Sequence, residues 1–412
     1  MTEIKENKGK TPESQEIINK VKSCANYCFN CNRCVNVCPL SHLGIFSPRQ
    51  LVDDIIYQSV EEAIKNNNIW QCLTCGQCTT YCPMTKDAEG VQIPELILEL
   101  RKLAVAEDID TELEKVSKCE THDGIFPVIA NLMAENPQHP NQLGFVKDKD
   151  LKISESGEIG LFLGPAPFME DIIFNFEVDY LKSPITVLSL LNEVDIAPVV
   201  LNEKLSGHDM LWGRGDVKTF VKLAKYNVEL FRNAGVKKIV VVDAEDYRTW
   251  KIDYPKVIED FDFEVLHYTE FFLQNNIIES VRFPKENPVT VTYQDSCRIG
   301  RLGPKLYDAP REIIKRIPGV KLIEMEHIKE DAACCGVSTF SGCNEFTRQL
   351  RKRRISEAAQ TGAQVLLVPC IKCLSHFNCY LSEPSLSEEQ KALKDQLKVM
   401  DLASFIGSRL FI

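Results

Sequence analysis

Two kinds of apolar spacing divide the chain. In the first part, Leu51 and Ile55 recur at roughly helical intervals, as do the apolar residues of 94–105. The dipeptide Ser47-Pro48 stands just ahead of the first stretch, and proline suits the opening turn of a helix. The pattern predicts an all-α region over residues 23–135.

From residue 158 onwards, short apolar runs alternate with longer amphipathic stretches. The runs cover residues 159–163, 238–242, 289–293, 320–325 and 365–368. Strands that alternate with helices predict parallel α/β sheets. We therefore expect an α/β protein with an N-terminal all-α region, its α/β part divided into halves at residues 158–285 and 286–412.

Two polar segments flank the predicted all-α region. Residues 1–22 are polar and charged, and we expect a flexible N-terminal arm there. Residues 136–157 are rich in Asn, Pro, Gln, Asp and Lys, which is typical of a linker.

Composition narrows the class of protein. With 412 residues, 44% of them hydrophobic and 26% charged, the chain can form two or three folded domains. A net charge of −11 argues against a nucleic-acid partner. We find no apolar run long enough to span a membrane and no apolar signal-peptide core near the N-terminus. Seventeen cysteines in such a chain indicate metal binding in a reducing compartment.

Eight of the cysteines form two copies of one motif. The copies are Cys28-x2-Cys31-x2-Cys34-x3-Cys38-Pro39 and Cys72-x2-Cys75-x2-Cys78-x3-Cys82-Pro83. In this motif three cysteines hold one 4Fe-4S cubane and the fourth crosses to the other cubane. The predicted ligand sets are Cys28, Cys31, Cys34 and Cys82 for one cubane, and Cys72, Cys75, Cys78 and Cys38 for the other.

Five further cysteines lie in the last third of the chain. They are Cys297, Cys334, Cys335, Cys370 and Cys373. Five thiolates are one too many for a zinc site or a cubane, and two adjacent cysteines suit a larger cluster. Two alternatives stay open, namely buried free thiols that pack as small hydrophobes and a zinc site at Cys370 and Cys373. Four other residues are possible ligands by residue type. Cys119, His122 and His139 are interpreted as ordinary side chains, and Cys343 as a spare thiol near the site.

Three segments resemble the cysteine-rich CCG domain of heterodisulfide reductases and their relatives. They are Cys297-Arg298-Ile299-Gly300-Arg301, Cys334-Cys335-Gly336 and Pro369-Cys370-Ile371-Lys372-Cys373. The resemblance implies that the five cysteines are catalytic and hold a non-cubane 4Fe-4S cluster at which a disulfide is reduced. Arg298, Arg301 and Lys372 are candidates for steadying its negative charge.

The resemblance extends over residues 23–412. The N-terminal part is similar to the helical two-cluster ferredoxin domain of the small heterodisulfide reductase subunit, so the whole resembles the D-type, fused subunit. This implies a helical ferredoxin domain at 23–135 followed by two Rossmann-like CCG repeats.

The first predicted repeat lacks all five cysteines. When strand ends are aligned, Pro165 corresponds to Cys297, and the two remaining cysteine segments correspond to Leu205-Ser206-Gly207 and to residues 243–246. We expect this half to have kept its packing and lost its cluster. The alternative is a hard cation bound through oxygen ligands, for which the candidates are Asp243, Glu245 and Asp246 with His208.

These features predict an oxidoreductase subunit that acts on sulfur donors and passes electrons through two cubanes to one non-cubane cluster. Because no flavin- or nicotinamide-binding motif occurs, we expect the electron donor on another chain, either a flavoprotein or a membrane cytochrome b-type subunit. The alternative is an electron relay without a substrate. The expected setting is anaerobic and cytoplasmic, with attachment to the inner face of the membrane through a partner as a second option.

Overall fold

The helical region and the parallel sheets follow one another along the chain in the predicted order. The computed structural model describes residues 11–86, 89–109, 125–136, 141–172, 178–284, 287–337 and 345–410. At this level the structure confirms the α/β class with parallel sheets that follow a mostly helical N-terminal region. The all-α prediction for that region is wrong at one place, where Thr85–Lys86 pairs antiparallel with Glu89–Gly90. Among the described residues, no helix is both long and apolar enough to cross a membrane.

Helices of the N-terminal region pack around one apolar core. The elements are α1 (Pro12–Ala25), α2 (Arg33–Val37), a 3-10 turn (Ser41–Leu43), α3 (Pro48–Tyr57), α4 (Val60–Asn66), α5 (Gln77–Thr80), the hairpin strands β1 (Thr85–Lys86) and β2 (Glu89–Gly90), and α6 (Ile93–Ala106). Ser47 caps α3, as its sequence predicts, and Ser59 forms a capping box with Glu62 at the start of α4. Leu51 and Leu100 are fully buried between these helices.

The prediction of a flexible arm over residues 1–22 is wrong from residue 11 onwards. The Thr11 hydroxyl accepts a hydrogen bond from the Ser14 N–H at 3.1 Å, and Pro12 opens α1. Ile18, Val21 and Ala25 then lie on one buried face, and α1 packs against α3 and α6. Apolar residues at this spacing favour an amphipathic helix over a solvated arm. Residues 1–10 lie outside the described part of the chain.

The linker prediction for residues 136–157 needs a similar correction. Helices α7 (Ile125–Glu135) and α8 (Gly144–Asp148) connect the helical region to the first sheet. Phe145 and Val146 of α8 are buried among strand residues, because two adjacent apolar side chains gain more from packing than from exposure. Residues 137–140 are not described.

The first α/β half contains a parallel sheet in the order β3-β4-β5. Its elements are β3 (Ile159–Phe162), α9 (Ala166–Ile172), α10 (Lys182–Glu193), a π-helical turn (Asp209–Arg214), α11 (Val217–Asn233), β4 (Lys238–Val241), α12 (Ala244–Arg248), a π-helical turn (Thr249–Asp253), a 3-10 turn (Tyr254–Lys256), β5 (Glu264–His267), α13 (Tyr268–Gln274) and α14 (Ile277–Ser280). Val199 adds a parallel bridge to Gly160 on the free side of β3.

The second half contains a parallel sheet in the order β7-β6-β8-β9. Its elements are β6 (Val289–Tyr293), α15 (Asp308–Arg316), β7 (Val320–Leu322), a 3-10 turn (Lys329–Asp331), α16 (Glu345–Gln360), β8 (Val365–Val368), α17 (Ile371–Leu381), α18 (Glu388–Gln396), β9 (Lys398–Asp401) and α19 (Leu402–Leu410). With Val199 counted as a fourth extended segment, both sheets follow one strand order, second-first-third-fourth.

The two halves share their apolar cores. Alternate residues of both sheets, for example Val240 and Leu367, lie in one core, and their neighbours Val241 and Leu366 lie in the other. This alternation follows from the two-residue period of a strand. Both sheets therefore pack into one body, which brings their carboxyl ends near each other and near the helical region.

Candidate functional site

In both cubane motifs, residues between the cysteines adopt left-handed backbone conformations. Asn30 and Asn32 in the first motif have left-handed φ values of 67° and 61°, and Thr74 and Gly76 in the second have values of 44° and 82°. Such turns direct successive N–H groups towards one side, where they can meet sulfur. In the second motif the Thr74 N–H lies 3.4 Å from the Cys72 sulfur. Sequence reasoning missed these positions, although the asparagines and the glycine are a signal for them.

The structure gathers the eight motif cysteines into the two crossed sets. One cavity is lined by Cys28, Cys31, Cys34 and Cys82, and a second by Cys38, Cys72, Cys75 and Cys78. Cys78 also borders the first cavity, so the two sites are neighbours. Because each cavity is lined by all four thiols of its own set, the residues present fit a four-iron cluster at each place.

The two sets differ in exposure. Cys31 is exposed and the other three members of its set are half-buried, whereas all four members of the second set are buried. Burial raises the pKa of Cys72 to about 12 and, together with the neighbouring Cys28, raises that of Cys34 to about 11. These thiols must lose protons to bind iron, so cluster binding is coupled to proton release.

The five cysteines of the C-terminal half converge at the carboxyl ends of β6 and β8. Cys297 follows β6, Cys370 precedes α17, and the adjacent pair Cys334-Cys335 follows the 3-10 turn. Cys373 donates a hydrogen bond to the Cys335 sulfur at 3.1 Å. Hydrogen bonds from Cys334 and Cys373 lower the pKa of Cys335 to about 6. Cys335 is thus the member of the set that most readily becomes a thiolate.

One member of the second cubane set reaches the C-terminal set directly. The Cys75 thiol donates a hydrogen bond to Cys334, which raises the pKa of Cys75 well above its ordinary value. Cys334 in turn donates to Cys335, and Cys373 donates to both Cys335 and Cys370. Cys334 is buried in the helical core, whereas Cys335 lies in the core of the α/β halves. The adjacent pair therefore joins the two candidate sites.

Two arginines of the second α/β half donate hydrogen bonds to the Cys72–Cys78 loop. Arg298 is fully buried and donates to the Thr74 carbonyl at 3.1 Å and to its hydroxyl at 2.9 Å. Arg301 donates to the Cys75 carbonyl at 2.9 Å and to the Ala332 carbonyl at 2.6 Å. Their guanidinium groups thus hold the Cys72–Cys78 loop against the second half. This bonding role was not apparent from the sequence.

The residues aligned with the missing cysteines also come together. Pro165, Ser206, Gly207, Asp243 and Asp246 border one small cavity. Lys372 enters it from the second half and forms ion pairs with Asp209 and Glu245. Among the described residues, no three His, Cys, Asp or Glu side chains are grouped so that they hold a single metal ion. The hard-cation alternative therefore gains no support, and one of its candidate ligands, Glu245, is already paired with the Lys372 ammonium group.

A cleft leads from the surface to Cys334. It has a volume of about 180 Å³ and lies between the helical region and the second half, with Asn36, His42, Gln77, His327 and Arg353 among its lining residues. Cys334 forms part of its wall. Cys119, His122, His139 and Cys343 lie outside the described residues.

Two family models match the chain at these sites. A 4Fe-4S dicluster domain matches residues 6–85, and the cysteine-rich domain CCG matches residues 291–378. The D subunit of dihydromethanophenazine:CoB–CoM heterodisulfide reductase from Methanosarcina acetivorans is 28% identical over 366 residues, which are 86% of this chain and 81% of that protein. Its counterpart from Methanosarcina barkeri is 27% identical over 84% of this chain and 78% of its own length.

More distant similarities extend to other redox proteins. The EtfAB:quinone oxidoreductase of Syntrophomonas wolfei is 27% identical over 67% of this chain and 37% of its own length. A solved structure, the crystal structure of a hypothetical protein from Helicobacter pylori, aligns over 98% of this chain and 75% of its own length with a TM-score of 0.49 and 11% identity. That structural similarity is too low to define the fold.

The chain therefore contains a 4Fe-4S dicluster domain and a cysteine-rich CCG domain. These matches define an iron–sulfur oxidoreductase subunit that is related to the D subunit of heterodisulfide reductase. The resemblance drawn from the cysteine motifs is thereby confirmed.

Gly336, which follows the adjacent cysteines, provides a steric test of the site. Its φ is 91°, and a Cβ atom there would lie 2.8 Å from the Thr347 carbonyl oxygen. Gly362 also has a left-handed φ, 73°, but nothing lies within 4 Å of an added Cβ. We expect Gly362→Ala to cost about 1–2 kcal/mol for the backbone alone. Gly336→Ala should cost more and reduce bound iron, as measured by thermal unfolding and iron analysis. Equal effects of the two substitutions would contradict the steric account.

Proposed function

We propose that this subunit carries electrons through two 4Fe-4S cubanes to one non-cubane 4Fe-4S cluster, where a disulfide of small thiols is reduced or formed. In the reducing direction the overall change is RSSR + 2 e⁻ + 2 H⁺ → 2 RSH. The observation that carries this proposal is the hydrogen-bonded row from Cys75 through Cys334 and Cys335 to Cys373. It links a cubane set to the five-cysteine set without an intervening residue.

Each cysteine set has a place in this scheme. Bound clusters supply one-electron transfer and, at the five-cysteine site, iron that can take a sulfur ligand. We assign the cubanes to the crossed sets that line the two cavities. We assign the third cluster to Cys297, Cys334, Cys335, Cys370 and Cys373. Zinc at Cys370 and Cys373 is disfavoured because five thiols gather at this place, one more than a tetrahedral zinc site takes.

The difference in exposure between the two cubane sets indicates where the redox partner binds. The partner that exchanges electrons with this chain would meet the cubane beside exposed Cys31, where Tyr27 and Phe29 are also exposed. The buried second set would then join that cubane to the third cluster. A flavoprotein or a membrane cytochrome b-type subunit fits this position, and the latter would hold the chain at the inner face of the membrane from the cytoplasmic side.

The cleft that reaches Cys334 offers a route for a small thiol or disulfide. Its volume of about 180 Å³ suits a small molecule, and Arg353, His42 and His327 can offer donors to polar groups. Because the four cysteines other than Cys297 are all buried, an opening of this kind is needed for a substrate sulfur to approach them.

We further propose that the two α/β halves are Rossmann-like copies and that only the second holds a cluster. Their common strand order supports the duplication. A mechanism that needs two non-cubane clusters in one chain therefore does not apply. The alternative function, an electron relay without a substrate of its own, is favoured by the deep burial of Cys335, Cys370 and Cys373.

Iron analysis and low-temperature EPR of the anaerobically purified, oxidised protein separate these possibilities. We expect about 12 irons per chain and a new EPR signal when a small thiol is added, because oxidised cubanes are EPR-silent. About 12 irons without a thiol-dependent signal would favour the relay. About 8 irons would contradict the third cluster.

A further inference from the structure

We propose that the cysteine-free first half positions the Cys370–Cys373 turn through a buried ion triad and sets the charge beside these two cysteines. The triad consists of Lys372, Asp209 and Glu245. This inference rests on the proposed third cluster and gives the first half a role towards it.

The triad crosses the interface between the halves. Lys372 lies between Cys370 and Cys373, and its ammonium group pairs with the carboxylates of Asp209 and Glu245. The lysine side chain is 3% exposed and that of Glu245 is 5% exposed. Asp209 is separated from Lys372 by 163 positions in the sequence. The pairing is thus a product of how the halves pack.

Two further contacts hold the same turn to the first half. The Ile371 N–H donates to the Asp243 carboxylate at 2.8 Å. The other oxygen of that carboxylate accepts the Glu245 N–H at 2.8 Å, so Asp243 joins the first turns of α12 and α17. One turn further along α17, the Tyr180 and Ser375 hydroxyls lie 3.0 Å apart and share a hydrogen bond.

These contacts involve the part of the first half that aligns with cysteines of the second half. The carboxylates Asp243 and Glu245 belong to the segment that aligns with Cys370-x2-Cys373, and they line the small cavity at the carboxyl end of the first sheet. The second half has thiols at these positions, whereas the first half has carboxylates. One of these carboxylates forms an ion pair with Lys372 of the second half. We infer that a salt bridge occupies the place of a second cluster.

Besides positioning the turn, the triad places charge beside Cys370 and Cys373. The Lys372 ammonium group pairs with two carboxylates at once, those of Asp209 and Glu245, so one cation faces two anions. With all three groups ionised, the triad carries one net negative charge next to Cys370 and Cys373. Local negative charge lowers the reduction potential of an iron–sulfur cluster, because it opposes the uptake of an electron.

The test is a charge cycle measured by redox titration and EPR on the anaerobic holoprotein, above the pKa of Asp209, which burial raises to about 6. Glu245→Gln should raise the potential of the third cluster and leave the cubane potentials unchanged. Adding Lys372→Met to Glu245→Gln restores one net negative charge and should return the potential towards wild type. Lys372→Arg should keep it. The control Lys391→Met removes an exposed ion pair with Glu388 and should change nothing.

A second measurement tests the positioning without reference to the cluster. Asp243→Ala removes the acceptor of the Ile371 N–H, so hydrogen exchange of that amide should become about tenfold faster or more. The exposed Asp308→Asn is the control. Unchanged potentials with about 12 irons bound would overturn the charge role while the proposed function stands. With about 8 irons the proposed function fails, and unchanged exchange at Ile371 would then overturn the positioning role as well.

Discussion

Cys335→Ala is expected to remove one whole cluster and leave the other two in place. Cys335 accepts hydrogen bonds from Cys334 and Cys373, which makes it the centre of the five-thiol group. The hydrogen bonds from both neighbours also lower its pKa, which favours the thiolate form that binds iron. Iron analysis should fall from about 12 to about 8 per chain, and the thiol-dependent EPR signal should disappear.

Cys379→Ala is the matched control for this substitution. Cys379 lies on the same helix as Cys373 but outside the five-cysteine set, and it is half-buried. Removing it tests whether loss of any neighbouring thiol lowers the iron content. We expect about 12 irons and an unchanged EPR signal. If both variants lose iron alike, or if Cys335→Ala keeps all of its iron, the assignment of the third cluster is wrong.

Arg101→Met is expected to cause the largest loss of stability among single substitutions in the helical region. The guanidinium group is fully buried and donates to the Ile69 carbonyl at 2.7 Å, to that of Cys72 at 2.8 Å and to that of Trp212 at 2.5 Å. It therefore joins α6, the second cubane loop and the first α/β half. Without it, buried carbonyls lose their donor, and the cost should be about 3–5 kcal/mol.

Denaturant unfolding of the anaerobic holoprotein measures this loss, and iron analysis should show that the second cubane is released first. Lys102→Met is the control, because its ammonium group is partly exposed and its partner Glu99, at 3.3 Å, keeps a second ion pair with Lys20 at 2.8 Å. Such a pair contributes up to about 1 kcal/mol. A similar loss in both variants would show that the buried carbonyl contacts of Arg101 are not important.

Several elements could be predicted because the pattern that indicates each one lies within a few residues. The cysteine spacing of the cubane motifs indicates their ligands, Ser47-Pro48 marks the start of α3, and short apolar runs mark strands such as β6 and β8. β5 and β9 escaped notice because each has a charged or polar residue at both ends, which leaves only two adjacent apolar positions. Local spacing therefore predicts long or strongly patterned elements best.

Other elements depend on partners that are distant in the chain. Helix α1 was taken for an arm because its few apolar residues matter only once α3 and α6 cover them. Asp209 attracted no attention, since nothing near it in the sequence predicts an ion pair with Lys372. Arg298 and Arg301 were assigned to the cluster's charge, whereas the carbonyls of Thr74 and Cys75 are their bonding partners.

The sequence by itself determined the class of this protein. Cysteine spacing decides which thiols can surround one cluster, and alternating strands and helices decide that the five remaining cysteines follow strand ends. Only the tertiary structure decided how the sites are connected. Contact between Cys75 and Cys334, and between Lys372 and the carboxylates of the first half, arises when separate elements are packed together. The physical reason is that ligand spacing is a local property, whereas the burial and pairing of charges depend on the whole fold.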